Sequence, residues 1–197
     1  LFGYDDSDLP TSGATGALEN SLISYVISGA IRMGQQPGKG FTDSEEILSS
    51  HTMMVHDDRM INSHVSRAQE VITILQNGNP PAANWASLDP SGRLDPLYVN
   101  KWISSTRFLT AAESWYGFFI TRQQEIVADS AVRTATAPSF SDVIGIHLPE
   151  LMRNLKIRVI NADRQFGEDR KYSWDCKIDS ATGLKLLPND IATIFVG

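Results

Sequence analysis

The clearest pattern in the chain is a stripe. Ile61, Val65, Ala68, Ile72 and Leu75 recur at steps of four, three, four and three, the spacing that lines one face of an α-helix. Asp57 and Asp58 ahead of it suit the positive end of the helix dipole, and Asn77-Gly78 followed by Pro80-Pro81 stops it. The pattern predicts a helix over 57–77 with its stripe in the core.

Other segments are less periodic. Residues 21–33 (SLISYVISGAIRM) are apolar enough for a buried helix or strand, and Gly29 and the β-branched residues leave both open. Gly34 to Gly40 reads as a loop. Thr42 followed by Glu45 has capping-box spacing and predicts a short helix from about Asp43. Residues 78–96, with four prolines, read as a long loop. A helix is expected over 97–109, with Leu97, Trp102 and Phe108 available for burial. A second capping box, Thr110 to Glu113, predicts a helix running to about Val132, with Trp115, Phe118, Phe119, Ile126 and Val127 on one face. After a break at Thr134 to Ser139, a further helix is expected over Ser141 to Leu155, with Pro149 marking a break or kink.

The texture then changes. Lys156 to Ile160 alternates charged and apolar residues as a half-buried strand does, Tyr172 to Ile178 alternates similarly, and Ile191 to Val196 is a third strand candidate. Residues 1–20 mix turn-formers with isolated Leu1, Phe2, Tyr4 and Leu9, and read as an extended arm. The predicted class is α+β: an arm over 1–20, a mainly α-helical body over 21–155, and a small C-terminal antiparallel β region over 156–197, all in a single domain.

Composition adds less than the way charge is distributed. The chain has 197 residues, 42% hydrophobic and 20% charged, as a globular protein does. Its net charge of −6 argues against a general nucleic-acid binder. No apolar run is long enough to span a membrane. Residues 1–58 carry nine acids against Arg32 and Lys39, a net of −7, whereas residues 151–197 carry eight bases and six acids, a net of +2. An acidic front and a basic back attract copies of the chain, or an acidic partner, through the C-terminal part. Leu1 in place of Met reads as a processed product, as part of a longer protein, or as a mature terminus. The sequence leaves localisation unknown.

No motif names a reaction. His51, His56 and His64, with Asp57, are residue types that hold zinc, iron or manganese. Their spacing is poor, because two ligands on one helix face want separations of three or four, and His51 and His56 are five apart. Asp57 and His64, seven apart, lie about 10 Å apart along a helix axis. The plainer reading is a helix start with partly exposed histidines. Gly34-Gln-Gln-Pro-Gly38-Lys39-Gly40 has three residues between its first glycines, where a phosphate-binding loop needs four, and lacks the Ser or Thr after the lysine. Cys176 is the single cysteine and reads as a structural thiol on a strand. Asn79-Pro-Pro-Ala-Ala-Asn84-Trp85 resembles a stretch in coat proteins of some flexible filamentous plant viruses. It covers seven residues and extends no further on either side, so no family is assigned on it.

The reading these features favour is a non-enzymatic structural subunit, a coat-type or secretion-apparatus component, that self-associates or docks into a larger assembly. Its expected interface residues are Leu1, Phe2, Tyr4 and Leu9 in the arm and Arg153, Arg158 and Arg164 in the basic segment, with no cofactor. One alternative is a metal-dependent hydrolase or oxidase using His51, His56, Asp57 and His64. Another is an RNA-binding structural protein using Arg153, Lys156, Arg158, Arg164, Arg170 and Lys171.

Overall fold

The structure is a computed structural model that describes residues 16–35, 51–55, 61–81, 94–129, 136–159, 177–178, 185–186 and 192–196, and for 61–65, 126–129, 158–159, 177–178, 185–186 and 195 the backbone alone. In chain order the elements are α1 (Ala17–Gly34), β1 (His51–Val55), α2 (Ile61–Leu75), α3 (Pro96–Ile103), α4 (Thr106–Asp129), α5 (Phe140–Asp142), a π-helical stretch (Val143–His147), α6 (Leu148–Asn154), β2 (Leu155–Val159), β3 (Lys177–Ile178), β4 (Lys185–Leu186) and β5 (Ala192–Val196). The chain divides into two compact units, Leu1–Pro37 with Asn100–Leu151 and Gly38–Val99 with Met152–Gly197.

The first unit is helical. Leu22, Ile23, Val26, Ile27 and Ala30 of α1 are all fully buried, a pairwise recurrence every four residues that settles 21–33 as a helix. The helix starts at Ala17, so the last residues of the expected arm are helical, and Gly34 ends it instead of opening a loop. α1 packs on α4 and on the π-helical stretch. Contact there is close. A Cβ on Gly34 would stand 2.5 Å from Pro138 Cγ and 2.7 Å from His147 Nε2, so only glycine fits.

Two expectations about helix ends are corrected. The helix expected over 97–109 stops at Ile103, and α4 begins at Thr106. Its cap is Ser105, whose Oγ accepts the Phe108 N–H at 3.2 Å. Thr110 therefore lies inside the helix, and its hydroxyl donates back to the Thr106 carbonyl at 2.9 Å. The helix expected from Ser141 starts at Phe140, capped by Ser139 Oγ on the Asp142 N–H. Pro149 does not break it. The turn before the proline widens instead, with the Leu148 N–H reaching back to the Val143 carbonyl, and this extra room lets a residue without an N–H continue the helix. Leu97, expected to be buried, is 59% exposed. It lies two residues, about 200°, around α3 from buried Val99.

The second unit is built on a sheet, and here the predicted class needs its main correction. β1, β5 and β2 form a three-stranded sheet in that order, with β5 central. Both pairs are parallel: His51 to Val55 run beside Ala192 to Val196, and Leu155 to Val159 run beside the same residues. The strands are not antiparallel, and β1 comes from the N-terminal half. Alternation reports which faces a strand shows but not its direction, and the long connections here permit parallel crossovers. The antiparallel pairing described is the short β3–β4 pair. α2 packs on β2 and β5, with Ala68, Ile72 and Leu75 buried as the stripe predicts and Val71 buried beside them. Asn77 (φ 55°) and Gly78 (φ 84°) then close the helix in left-handed conformations, with Gly78 N–H on Thr73 O and Asn77 N–H on Ile74 O. Gln76, also buried, joins the two ends of the following connection. Its amide donates to Asn79 O at 3.1 Å, and its carbonyl accepts Asp95 N–H at 2.8 Å.

Candidate functional site

The second unit is built on the three-stranded sheet, whose strands differ in exposure. Central β5 reads Ala-Thr-Ile-Phe-Val, and its described side chains, at 192–194 and 196, are all buried, as a central parallel strand requires. The outer strands differ from it and from each other. β1 (His51-Thr52-Met53-Met54-Val55) alternates: Thr52 and Met54 are exposed, His51 and Met53 half-buried, Val55 buried. Met54 is 65% exposed, an unusual position for a large apolar side chain on a parallel sheet. β2 (Leu155-Lys156-Ile157-Arg158-Val159) alternates apolar and cationic positions. The register sets Thr52, Thr193 and Lys156 in one row across the sheet and Met54, Phe195 and Arg158 in a second, on the same face. That face thus runs from neutral residues on β1 to cationic positions on β2. Among the described residues neither outer strand has a ladder partner on its far side.

The predicted interface residues fall partly on this sheet. Arg158 is in β2, and Arg153, exposed, is in the last turn of α6, two residues before that strand. A cation there complements the helix's negative C-terminal end. Leu1, Phe2, Tyr4, Leu9, Arg164, Arg170 and Lys171 lie outside the described residues. Of the metal candidates, His51 opens β1 and His64 lies in the first turn of α2, while His56 and Asp57 lie outside the described residues. Among the described residues no group of three or more His, Cys, Asp or Glu could hold a metal ion. His147 packs against Gly34, and Cys176 lies outside the described residues. No helix among the described residues is long and apolar enough to cross a membrane.

Sequence reasoning missed a buried polar cluster in the helical unit. Glu19, 2% exposed in the first turn of α1, accepts Trp102 Nε1–H at 3.1 Å and pairs with Arg107 Nη2 at 2.9 Å, both on Oε1. Beside it, Asn20 Oδ1 accepts Trp115 Nε1–H at 2.8 Å. The Trp102 ring meets Phe108 edge-on at 4.7 Å. Arg107 Nε is buried with no hydrogen-bond partner, although the side chain as a whole is 37% exposed. Two adjacent residues of α1 thus take indole donors from α3 and α4, which fixes the start of α1 against both. The cluster offers no nucleophile and no open coordination position, and its chemistry is that of a structural cross-link. No sequence signal marked it, because the partners are 83 and 95 residues away in the chain.

No protein-family model, curated protein or solved structure matches the chain.

Proposed function

We propose that the chain is a structural subunit that works by associating with copies of itself or docking into a larger assembly, as a coat-type or apparatus component does, rather than by catalysis. The observation that carries this reading is the exposure of Thr52 and Met54 on an outer strand of the parallel sheet of the second unit. All-parallel sheets ordinarily have both faces covered and their edges protected. This one leaves Thr52 and Met54 exposed and has no described ladder partner beyond β1 or β2. The charge layout supplies a second attraction, with a net −7 over residues 1–58 and a net +2 over 151–197. Those two patches differ, so a contact between them is heterologous and extends into rings or filaments instead of stopping at a pair.

The test is sedimentation velocity and native mass spectrometry of the full chain across a concentration series. A discrete oligomer or a growing series of assemblies is expected. A chain that stays monomeric to its solubility limit, with folded circular dichroism, overturns self-association.

A further inference from the structure

Asn77-Gly78 is the one Asn-Gly pair in the sequence, and it is also the pair that closes α2. Both residues are exposed, and both hold left-handed conformations, Asn77 at φ 55° and Gly78 at φ 84°. Glycine in this place matters chemically as well as conformationally. Its backbone nitrogen can close a five-membered ring on the side-chain carbon of the asparagine before it, and it has no Cβ to shield that approach. No described atom stands within 4 Å of where a Cβ on Gly78 would be, so the turn is open on that side.

We infer that Asn77 is a self-modification site, converted to aspartate and isoaspartate by attack of the Gly78 nitrogen and held in check by the cap of α2. The nitrogen gives its proton to a base in the solvent and bonds to Asn77 Cγ. The bond from Cγ to the side-chain nitrogen breaks, and that nitrogen takes a proton from solvent and leaves as ammonia. The cyclic imide then takes up one water, which opens it at either carbonyl to give aspartate or isoaspartate. No electrons are exchanged, and solvent water is the second reactant.

The fold supplies the restraint. The proton that must leave is donated to the Thr73 carbonyl at 2.8 Å, and the nitrogen cannot turn onto Cγ until that bond opens. Buried Gln76 braces the same turn, with its amide on Asn79 O at 3.1 Å and its carbonyl on Asp95 N–H at 2.8 Å. Reaction therefore proceeds from a state in which the last turn of α2 has opened, and its rate follows how often that happens. Asn79, two residues on, lacks this route because Pro80 has no N–H to lose. The products do not restore the cap fully. Isoaspartate adds a carbon to the main chain at 77 and displaces the Gly78 N–H from Thr73, and either product sets a new anion at the negative end of α2.

The experiment incubates the full chain in mildly alkaline buffer, folded and in strong urea, and follows the peptide bearing Asn77 by chromatography and mass spectrometry. Both products are expected, with one ammonia released for each conversion. The folded chain should convert at least about tenfold more slowly than the unfolded one, and the Gly78 amide proton should exchange with deuterium under matching protection, because both events need the same opening. Gln76→Ala removes the brace and should speed conversion of the folded chain at least about threefold while leaving the rate in urea unchanged. Asn77→Gly keeps a residue at ease in the left-handed region and should release no ammonia from this peptide. Conversion of the folded chain as fast as in urea, conversion indifferent to Gln76→Ala, or a Gly78 amide that exchanges freely without conversion each overturns the proposal. If Gln76→Ala fails to fold, the match between Gly78 exchange and conversion of the wild-type chain decides alone.

Discussion

The helical unit and the sheet unit spend their polar groups in opposite ways. A helix satisfies its own backbone, so what remains to be fixed is how helices lie against each other. The first unit does this with side chains: Glu19 and Asn20 of α1 hold indole donors Trp102 and Trp115 and the guanidinium of Arg107. A strand satisfies its backbone through its neighbours instead, so pairing itself fixes how strands lie together. In the second unit β1 and β2 flank β5, neither pairs with a further strand among the described residues, and Met54 of β1 is exposed. Side-chain cross-links thus fix the helical unit, whereas backbone pairing and an apolar helix stripe fix the sheet unit. Substitutions in either unit put this contrast at risk.

The largest effect is expected in the sheet unit. Its stability rests on the apolar stripe of α2 against β2 and β5, with Leu75 fully buried and Ile72 4% exposed. Ile72→Ala and Leu75→Ala should each cost about 2–5 kcal/mol by urea denaturation. Losses under about 1 kcal/mol for both would mean that α2 does not carry the sheet.

The helical unit should respond to a polar change instead. Glu19→Ala strands the Trp102 N–H and removes the partner of Arg107. Because the Arg107 side chain is 37% exposed and gains water, the cost should fall below that of a fully buried pair, at about 2–3 kcal/mol. Glu19→Gln keeps an acceptor for the indole and should recover part of it. A Glu19→Ala protein as stable as wild type would remove the cross-link from the account of this unit.

These two sites also mark what the sequence makes legible. The α2 stripe is legible because its periodicity is local and long, and the Asn77-Gly78 stop because two left-handed residues leave their own signature. Glu19 is not. A lone carboxylate beside Gly16 and Asn20 resembles an exposed one, and only the fold brings Trp102 and Arg107 to it. β1 is illegible for a different reason. Five residues holding two methionines look neither like a strand nor like an edge until β5 is set beside them. Strand direction is hidden in the same way: Leu155 to Val159 alternates identically whether its neighbour runs with it or against it, which is why parallel pairing comes from the structure alone. Thr110 shows the converse, a good local signal overruled when Ser105 takes the cap one turn earlier.

The smallest effect concerns the proposed charge contact between the acidic front and the basic segment. Arg153, Arg158 and Arg164 lie in the basic segment, and Asp5, Asp6 and Asp8 in the acidic front. Exposed pairs contribute only about 0–1 kcal/mol each, so a measurable contact needs several together. Reversing Arg153, Arg158 and Arg164 to Glu should reduce the size of the assemblies without lowering the melting temperature of the subunit. Changing Asp5, Asp6 and Asp8 to Lys as well should partly restore the larger species. Salt should act like the first set of substitutions, because the Debye length shrinks from about 10 Å at 0.1 M to about 3 Å at 1 M. Light scattering that shows the larger species shrinking between about 0.1 M and about 1 M salt would support the charge contact. Assemblies indifferent to both salt and charge reversal would leave the sheet edge or the apolar residues of the arm as the source of association.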